Sequence, residues 1–124
     1  MIYNEEEYKV KYYINSQSGK EPTLEFILKL DNKSMAKVEK YIEYLKLNKG
    51  YLDEPYSKHI TGKIRELRVD FSHNHHRIFY FGFIKKTIVL LHGFTKKTKK
   101  TPASEIKKAI ENYNDTINNP RLYE

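Results

Sequence analysis

The 124-residue chain has no cysteine and a formal excess of seven positive charges. Disulfides, thiolate metal sites and a cysteine nucleophile are thereby excluded, and the length suits one domain over residues 1–124. The charge is concentrated: residues 57–100 hold eleven Lys and Arg against two acids, residues 1–56 nine against ten, and residues 101–124 three against four, which points to a surface for a polyanion, RNA or DNA by default.

The N-terminal residues Met1 to Glu7 are acidic and lack the apolar core of a signal peptide. No run approaches the ~18 uninterrupted apolar residues of a membrane span. Both features predict a soluble, cytoplasmic protein. Tyr8 to Ile14 alternates apolar and charged residues, the period of a half-buried strand, and Asn15 to Gly19 ends it as a turn. From Pro22 the period becomes helical, with Leu24, Phe26, Ile27 and Leu28 on an apolar face. Asp31 to Ser34 interrupts, and a second helix carries Met35, Val38, Ile42 and Leu45, with Gly50 as its C-terminal cap. The short break predicts an antiparallel helical hairpin.

Residues 51–58 read as a loop. Three strand-like runs follow: Ile64 to Phe71, His76 to Phe83 and Thr87 to Phe94, separated by a turn at Ser72 to Asn74 and a reversal at Ile84 to Lys86. These connections are of hairpin length and predict an antiparallel meander. The third run is almost wholly apolar, hence a central strand buried on both faces. Thr101 and Pro102 read as an N-cap and first helical residue, and Ile106, Ala109, Ile110, Tyr113 and Ile117 line one face of a last helix ending before Pro120. The order β-α-α-β-β-β-α predicts an α+β fold, helices on a mostly antiparallel sheet. The 11 Tyr and 6 Phe predict a tyrosine-rich core and rim.

Several side chains in the middle have chemical potential. Arg68 follows the core residue Leu67 on its strand, so it faces the other way, towards solvent or a ligand. A guanidinium holds phosphate oxygens bidentately and offsets charge developing there; a cross-strand ion pair with Glu66 or Asp70 serves the same residue equally well. Arg77 opens an otherwise apolar strand and joins Arg68 on one sheet face if the strands pair around the turn at residues 72–74. His73, His75 and His76 flank that turn without an evident third metal ligand, so a solvated turn is expected. His92 ends the buried strand, and His59 beside Lys58 is another group able to carry protons near neutral pH. Lys96, Lys97, Lys99 and Lys100 alternate with Thr95, Thr98 and Thr101 where the last helix begins, a setting for phosphate. A lysine crowded by other cations has its ammonium form disfavoured and can then serve as a base.

The ordered set Glu66-Leu67-Arg68, Arg77-Ile78, then Leu90 to Pro102 and Glu105-Ile106-Lys107-Lys108-Ala109 resembles the HigB branch of the RelE/ParE toxin superfamily, with Gly19 to Pro22 fitting as well. The resemblance spans nearly the whole chain. It implies a compact RelE-like fold and the toxin of a type II toxin–antitoxin pair, acting as a ribosome-dependent mRNA interferase. Such toxins promote attack of a ribose 2′-hydroxyl on the adjacent phosphate and need no metal or other cofactor. By position the resemblance assigns Arg68 and Arg77 to the phosphate, Lys96, Lys97 and His92 to catalysis, and Lys58, His59, Thr98, Lys99 and Lys100 to RNA binding. The partners implied are a helix-turn-helix antitoxin, the ribosome and its mRNA. A gyrase inhibitor like ParE, or a nucleic-acid-binding module without catalysis, stand as alternatives.

Overall fold

Two-residue alternation in the middle of the chain, flanked by helical periodicity on both sides, calls for a sheet with helices packed against it. The computed structural model of the protein describes residues 7–124. The acidic N-terminal stretch read as lacking a signal peptide lies, up to residue 6, outside the described residues. The elements are β1 (Lys9–Tyr12), α1 (Pro22–Leu28), α2 (Asn32–Leu47), β2 (Ser57–Thr61), β3 (Ile64–Phe71), β4 (Asn74–Phe83), β5 (Thr87–Lys96) and α3 (Ala103–Asn118). Short 3-10 turns occupy Ile84–Lys86 and Pro120–Tyr123. The fold is α+β, and the five strands form one sheet in the order β1-β5-β4-β3-β2. β2 to β5 run as an antiparallel meander, while β1 lies parallel to β5. Among the described residues no helix is long and apolar enough to cross a membrane.

Each face of the sheet carries its own apolar cluster. On one, Ile27 of α1 and Val38, Ile42 and Leu45 of α2 pack with Leu67, Val69, Ile78, Tyr80, Ile88 and Leu90. On the other, Ala109, Ile106 and Tyr113 of α3 pack with Ile64, Phe79, Phe81, Val89, Leu91 and Phe94. Consecutive β5 residues thus enter opposite cores, as expected for a central strand buried on both sides. A bulge interrupts the pairing of β4 and β5: Phe79 pairs with His92 and Tyr80 with Leu90, so Leu91 is extra. It shifts the alternation by one, and His92, Phe94 and Lys96 come out on the α3 face instead of the α1/α2 face.

Several expectations need correction. Residues 57–61 form strand β2, which pairs with β3 although its sequence was read as part of a loop. β2 is a polar edge strand, held by backbone pairing and by the buried Ser57 hydroxyl, 2.7 Å from Tyr80 Oη. Leu28 is 62% exposed rather than part of the α1 face. Ile110 and Ile117 are also partly exposed, and Ala109 and Thr116 are the buried residues of α3. Thr101 does not cap α3: Pro102 holds the N-cap position, and no side chain caps it. At α2, by contrast, Asp31 caps through its Oδ1, which accepts from the Ser34 amide at 2.8 Å. Gly50, with φ +86°, follows Lys49 in the left-handed region and donates its N–H to Leu45 O at 2.8 Å, closing α2 as expected.

Gly93 lies beneath α1, where an added Cβ would stand 2.6 Å from Cδ2 of Phe26. Gly93→Ala therefore displaces that ring, and we expect a loss of roughly 1–3 kcal/mol by urea unfolding, with Tm falling in parallel. His76 is 3% exposed, and its Nε2 has no hydrogen-bond partner. Burial, helped by the nearby Arg77 charge and opposed by Asp31 and Asp70, lowers its pKa. The unfolded chain therefore takes up this proton first, so the contribution of His76 to stability is whole above about pH 6.5 and is lost as the pH falls below it. Between pH of about 7.5 and 5.5 the urea midpoint should fall further for the wild type than for His76→Gln. Asp31, Asp70 and Asp115, whose pKa values are lowered, add their losses only in more acid solution, near pH 4 and below on the usual carboxylate scale.

Candidate functional site

The register of β3 against β4 decides what the α3 face presents beyond the apolar cover of α3. Arg68 pairs directly with Arg77, and Asp70 with His75, while His75 in turn pairs with Lys96 of β5. Cross-strand partners share a face, so Glu66, Arg68, Asp70, His75, Arg77 and Lys96 all project to the same side. The Ser72-His73 turn joining β3 and β4, with Ser72 at φ 58°, fixes this register. A cleft of about 560 Å³ opens there, lined by Asp70, His73, Asn74, His75 and Arg77 from the hairpin and by Thr95 to Lys99 from the end of β5 and the following link.

Arg77 is the best-buried cation of the site, only 5% exposed. Its Nη1 donates to Asp70 Oδ1 at 2.8 Å and to the His76 carbonyl at 3.0 Å, while its Nε has no partner. A guanidinium remains charged under such desolvation, so it presents a fixed positive field to the cleft. Burial alone would raise the Asp70 pKa, but hydrogen bonds from Arg77 and His75 outweigh it and hold the carboxyl below its ordinary value. Lys96, opposite His75, has its pKa lowered by burial first and then by the Arg77 and Arg68 charges, with Glu66 opposing. Burial thus outweighs the cation crowding that was expected to act on a lysine of this segment.

Arg68 stands beside the cleft rather than in its lining. Its Nε lies 3.3 Å from Oε1 of Glu66, a carboxylate with 0% exposure, and Thr101 Oγ1 donates to the other Glu66 oxygen at 3.0 Å. Arg68 is therefore ion-paired in the free protein, with Glu66 along the same strand rather than across strands. This pair also ties the link before α3 to β3, and within the link Thr98 Oγ1 donates to the Lys100 carbonyl at 2.7 Å. Lys97, Thr98 and Lys99 line the cleft, and Lys100 is exposed just outside its lining.

The remaining candidates lie elsewhere. His92 is on the correct face, but its Nε2 is 2.5 Å from Glu105 Oε1 at the start of α3 and its ring stacks on Phe79 and Phe94, outside the cleft lining. Lys58 shares the α3 face as the partner of Glu66, on the exposed edge strand. His59 pairs with Arg65 on the α1/α2 face and lies 2.9 Å from the Gly62 carbonyl through Nε2, so the structure separates it from the site. Conversely, His75 and Asp70 belong to the site; His73 and His75 are exposed as expected of the turn, whereas His76, expected to be solvated with them, is buried beside Phe26 of α1. The signal was present in the spacing: positions 66, 68 and 70 share a face, and a two-residue turn sets 70 opposite 75. No group of three or more metal-ligating side chains is found among the described residues.

Residues 25–114 match the family described as Phage derived protein Gp49-like (DUF891), and the chain belongs to that family. No curated protein matches it.

Removing the Arg68 guanidinium would leave the Glu66 carboxylate buried with only Thr101 as donor. Arg68→Ala is thus expected to cost roughly 3 kcal/mol in urea unfolding. Arg68→Ala combined with Glu66→Leu should recover most of that loss, and equal stability of the single variant and wild type would contradict the pairing.

Proposed function

We propose that this Gp49-like protein is the toxin of a type II toxin–antitoxin pair and cleaves messenger RNA held in the ribosomal decoding site. The family is a RelE/HigB-like toxin family, which supports the toxin reading at a coarse level. The observation that carries the finer reading is Arg77: a cation 5% exposed, its Nε unpartnered, on a cleft that also holds Lys96. Burying a guanidinium is costly, and a free surface for loose polyanion binding does not call for it. A site that must stabilise charge on one phosphate in its transition state does, because a pre-placed cation in a water-poor setting acts strongly and needs no reorganisation.

In this reading Arg77 binds the non-bridging oxygens of the scissile phosphate. Lys97, Lys99 and the Thr98 region follow the flanking backbone, and Arg68 holds the wall of the cleft through Glu66 while adding positive field. The ribose 2′-hydroxyl attacks phosphorus, and the Lys96 ammonium gives its proton to the departing 5′-oxygen. Burial and the Arg77 charge lower the Lys96 pKa, which eases that release. The ribosome supplies the extended mRNA geometry that a shallow cleft does not impose by itself. The partner that restrains the toxin is a helix-turn-helix antitoxin, which must cover this cationic cleft to neutralise it.

Ribosomes carrying a defined mRNA test this reading directly. The purified protein should cut within the decoding-site codon, leaving a 2′,3′-cyclic phosphate and a 5′-hydroxyl, and a 2′-deoxy residue at the cut should block it. Arg77→Ala should slow single-turnover cleavage by about 10²–10³-fold. Intact mRNA together with relaxed or broken DNA after induction would instead establish gyrase inhibition.

A further inference from the structure

The cleavage reaction requires a group to receive the proton of the attacking 2′-hydroxyl. The chain has five histidines. His59 lies on the opposite face, His76 is buried on the α1/α2 side with Nδ1 3.0 Å from Thr95 Oγ1, and His92 packs against Phe79 and Phe94 with its Nε2 on Glu105. His73 and His75 line the cleft, and of these His75 meets a carboxylate: its Nδ1 lies 2.9 Å from Asp70 Oδ1.

We propose that His75, oriented by Asp70, is the base that takes the 2′-hydroxyl proton; this rests on the RNA-cleavage reading above. The carboxylate dictates the tautomer. Asp70 is held in its ionised form by Arg77 and His75 against the effect of burial, and an ionised carboxylate only accepts hydrogen bonds. The proton in the Asp70–His75 contact therefore sits on Nδ1, and neutral His75 has its lone pair on Nε2. The side chain is 49% exposed, so substrate can reach it. The same Asp70 oxygen also accepts from Arg77 Nη1 at 2.8 Å, so one atom sets the spacing between base and phosphate clamp. Lys96 is the cross-strand partner of His75 in β5, which places the proton donor beside the same phosphate.

The step balances within these groups. The 2′-hydroxyl gives its proton to His75 Nε2 as the O2′–P bond forms. The P–O5′ bond breaks with its electron pair moving to the 5′-oxygen, which takes a proton from Lys96. Exchange through solvent then returns the imidazolium proton to the lysine, and no oxidant, reductant or further reactant is consumed. Asp70 is a positioning residue, since it acts through His75 and does not touch the RNA.

Single-turnover cleavage of ribosome-bound mRNA by His75→Ala and Asp70→Asn tests the assignment, with RNA affinity and thermal unfolding measured alongside. His75→Ala should bind RNA as the wild type does, fold normally and cleave at least about 10²-fold more slowly. Free imidazole should restore about tenfold of that loss by occupying the vacated space. Asp70→Asn should also be slow, yet gain nothing from imidazole because the His75 ring still fills the position. Cleavage by His75→Ala at the wild-type rate, or a slow variant that imidazole leaves slow, overturns the base assignment while the interferase reading stands. A wild-type protein that leaves the mRNA uncut overturns both.

Discussion

Two arginines directly opposite each other on a partly buried sheet face repel, and the site depends on how that repulsion is absorbed. Arg68 and Arg77 are register partners. β3 supplies the remedy itself, because Glu66, Arg68 and Asp70 alternate onto one face as acid, base, acid. Glu66 takes Arg68 at 3.3 Å and Asp70 takes Arg77 at 2.8 Å, so each cation has its own carboxylate and the pair can be held with little solvent. The two acids are not equivalent. Glu66 is wholly buried and also accepts from Thr101, which makes it a structural anchor between β3 and the link before α3. The Asp70 side chain is 56% exposed, and the oxygen that takes Arg77 is shared with His75, so this acid joins the two at the cleft.

The rest of the architecture serves to place β5 against that frame. The bulge at Leu91 turns the second half of β5 over, which delivers Lys96 to the cleft and leaves Gly93 beneath α1. Without it the alternation of β5 would send Lys96 to the α1/α2 face. α3 covers the apolar part of the face and stops short of the charged end, with Glu105 in its first turn holding His92. An apolar core, a buried ion pair and an open cationic cleft thus follow one another along a single sheet face.

Much of the α+β layout was legible because it rests on periodicity: the three long strands, both long helices and the reversal at Ile84–Lys86 all follow from apolar spacing. β2 was not, since Ser57-Lys58-His59-Ile60-Thr61 has no apolar period and pairs through its backbone at the sheet edge. β1 was readable as a strand but not as a parallel partner of β5, because pairing depends on the helices in between. Within the site, the shared face of Arg68 and Arg77 could be stated only as a condition on register. The bulge at Leu91, the burial of Glu66 and the use of Thr101 as a donor to that acid depend on tertiary packing and leave no local mark in the sequence. The charge concentration over residues 57–100 pointed to the correct region yet spread interest too widely, since Lys58 and Lys63 share in it without lining the cleft.

The central claim is that this cleft, with Arg77 in its lining, is where RNA phosphate binds. A titration of the isotopically labelled protein with an RNA oligonucleotide whose 2′-hydroxyls are methylated, followed by nuclear magnetic resonance, tests it most directly. The account predicts that the largest shifts fall on the Arg77 Nε–H and on the amides of Thr95 to Lys99. Shifts centred instead on the cluster of Tyr41 and Tyr44 of α2 with Tyr56, with the Arg77 signal unmoved, would contradict it.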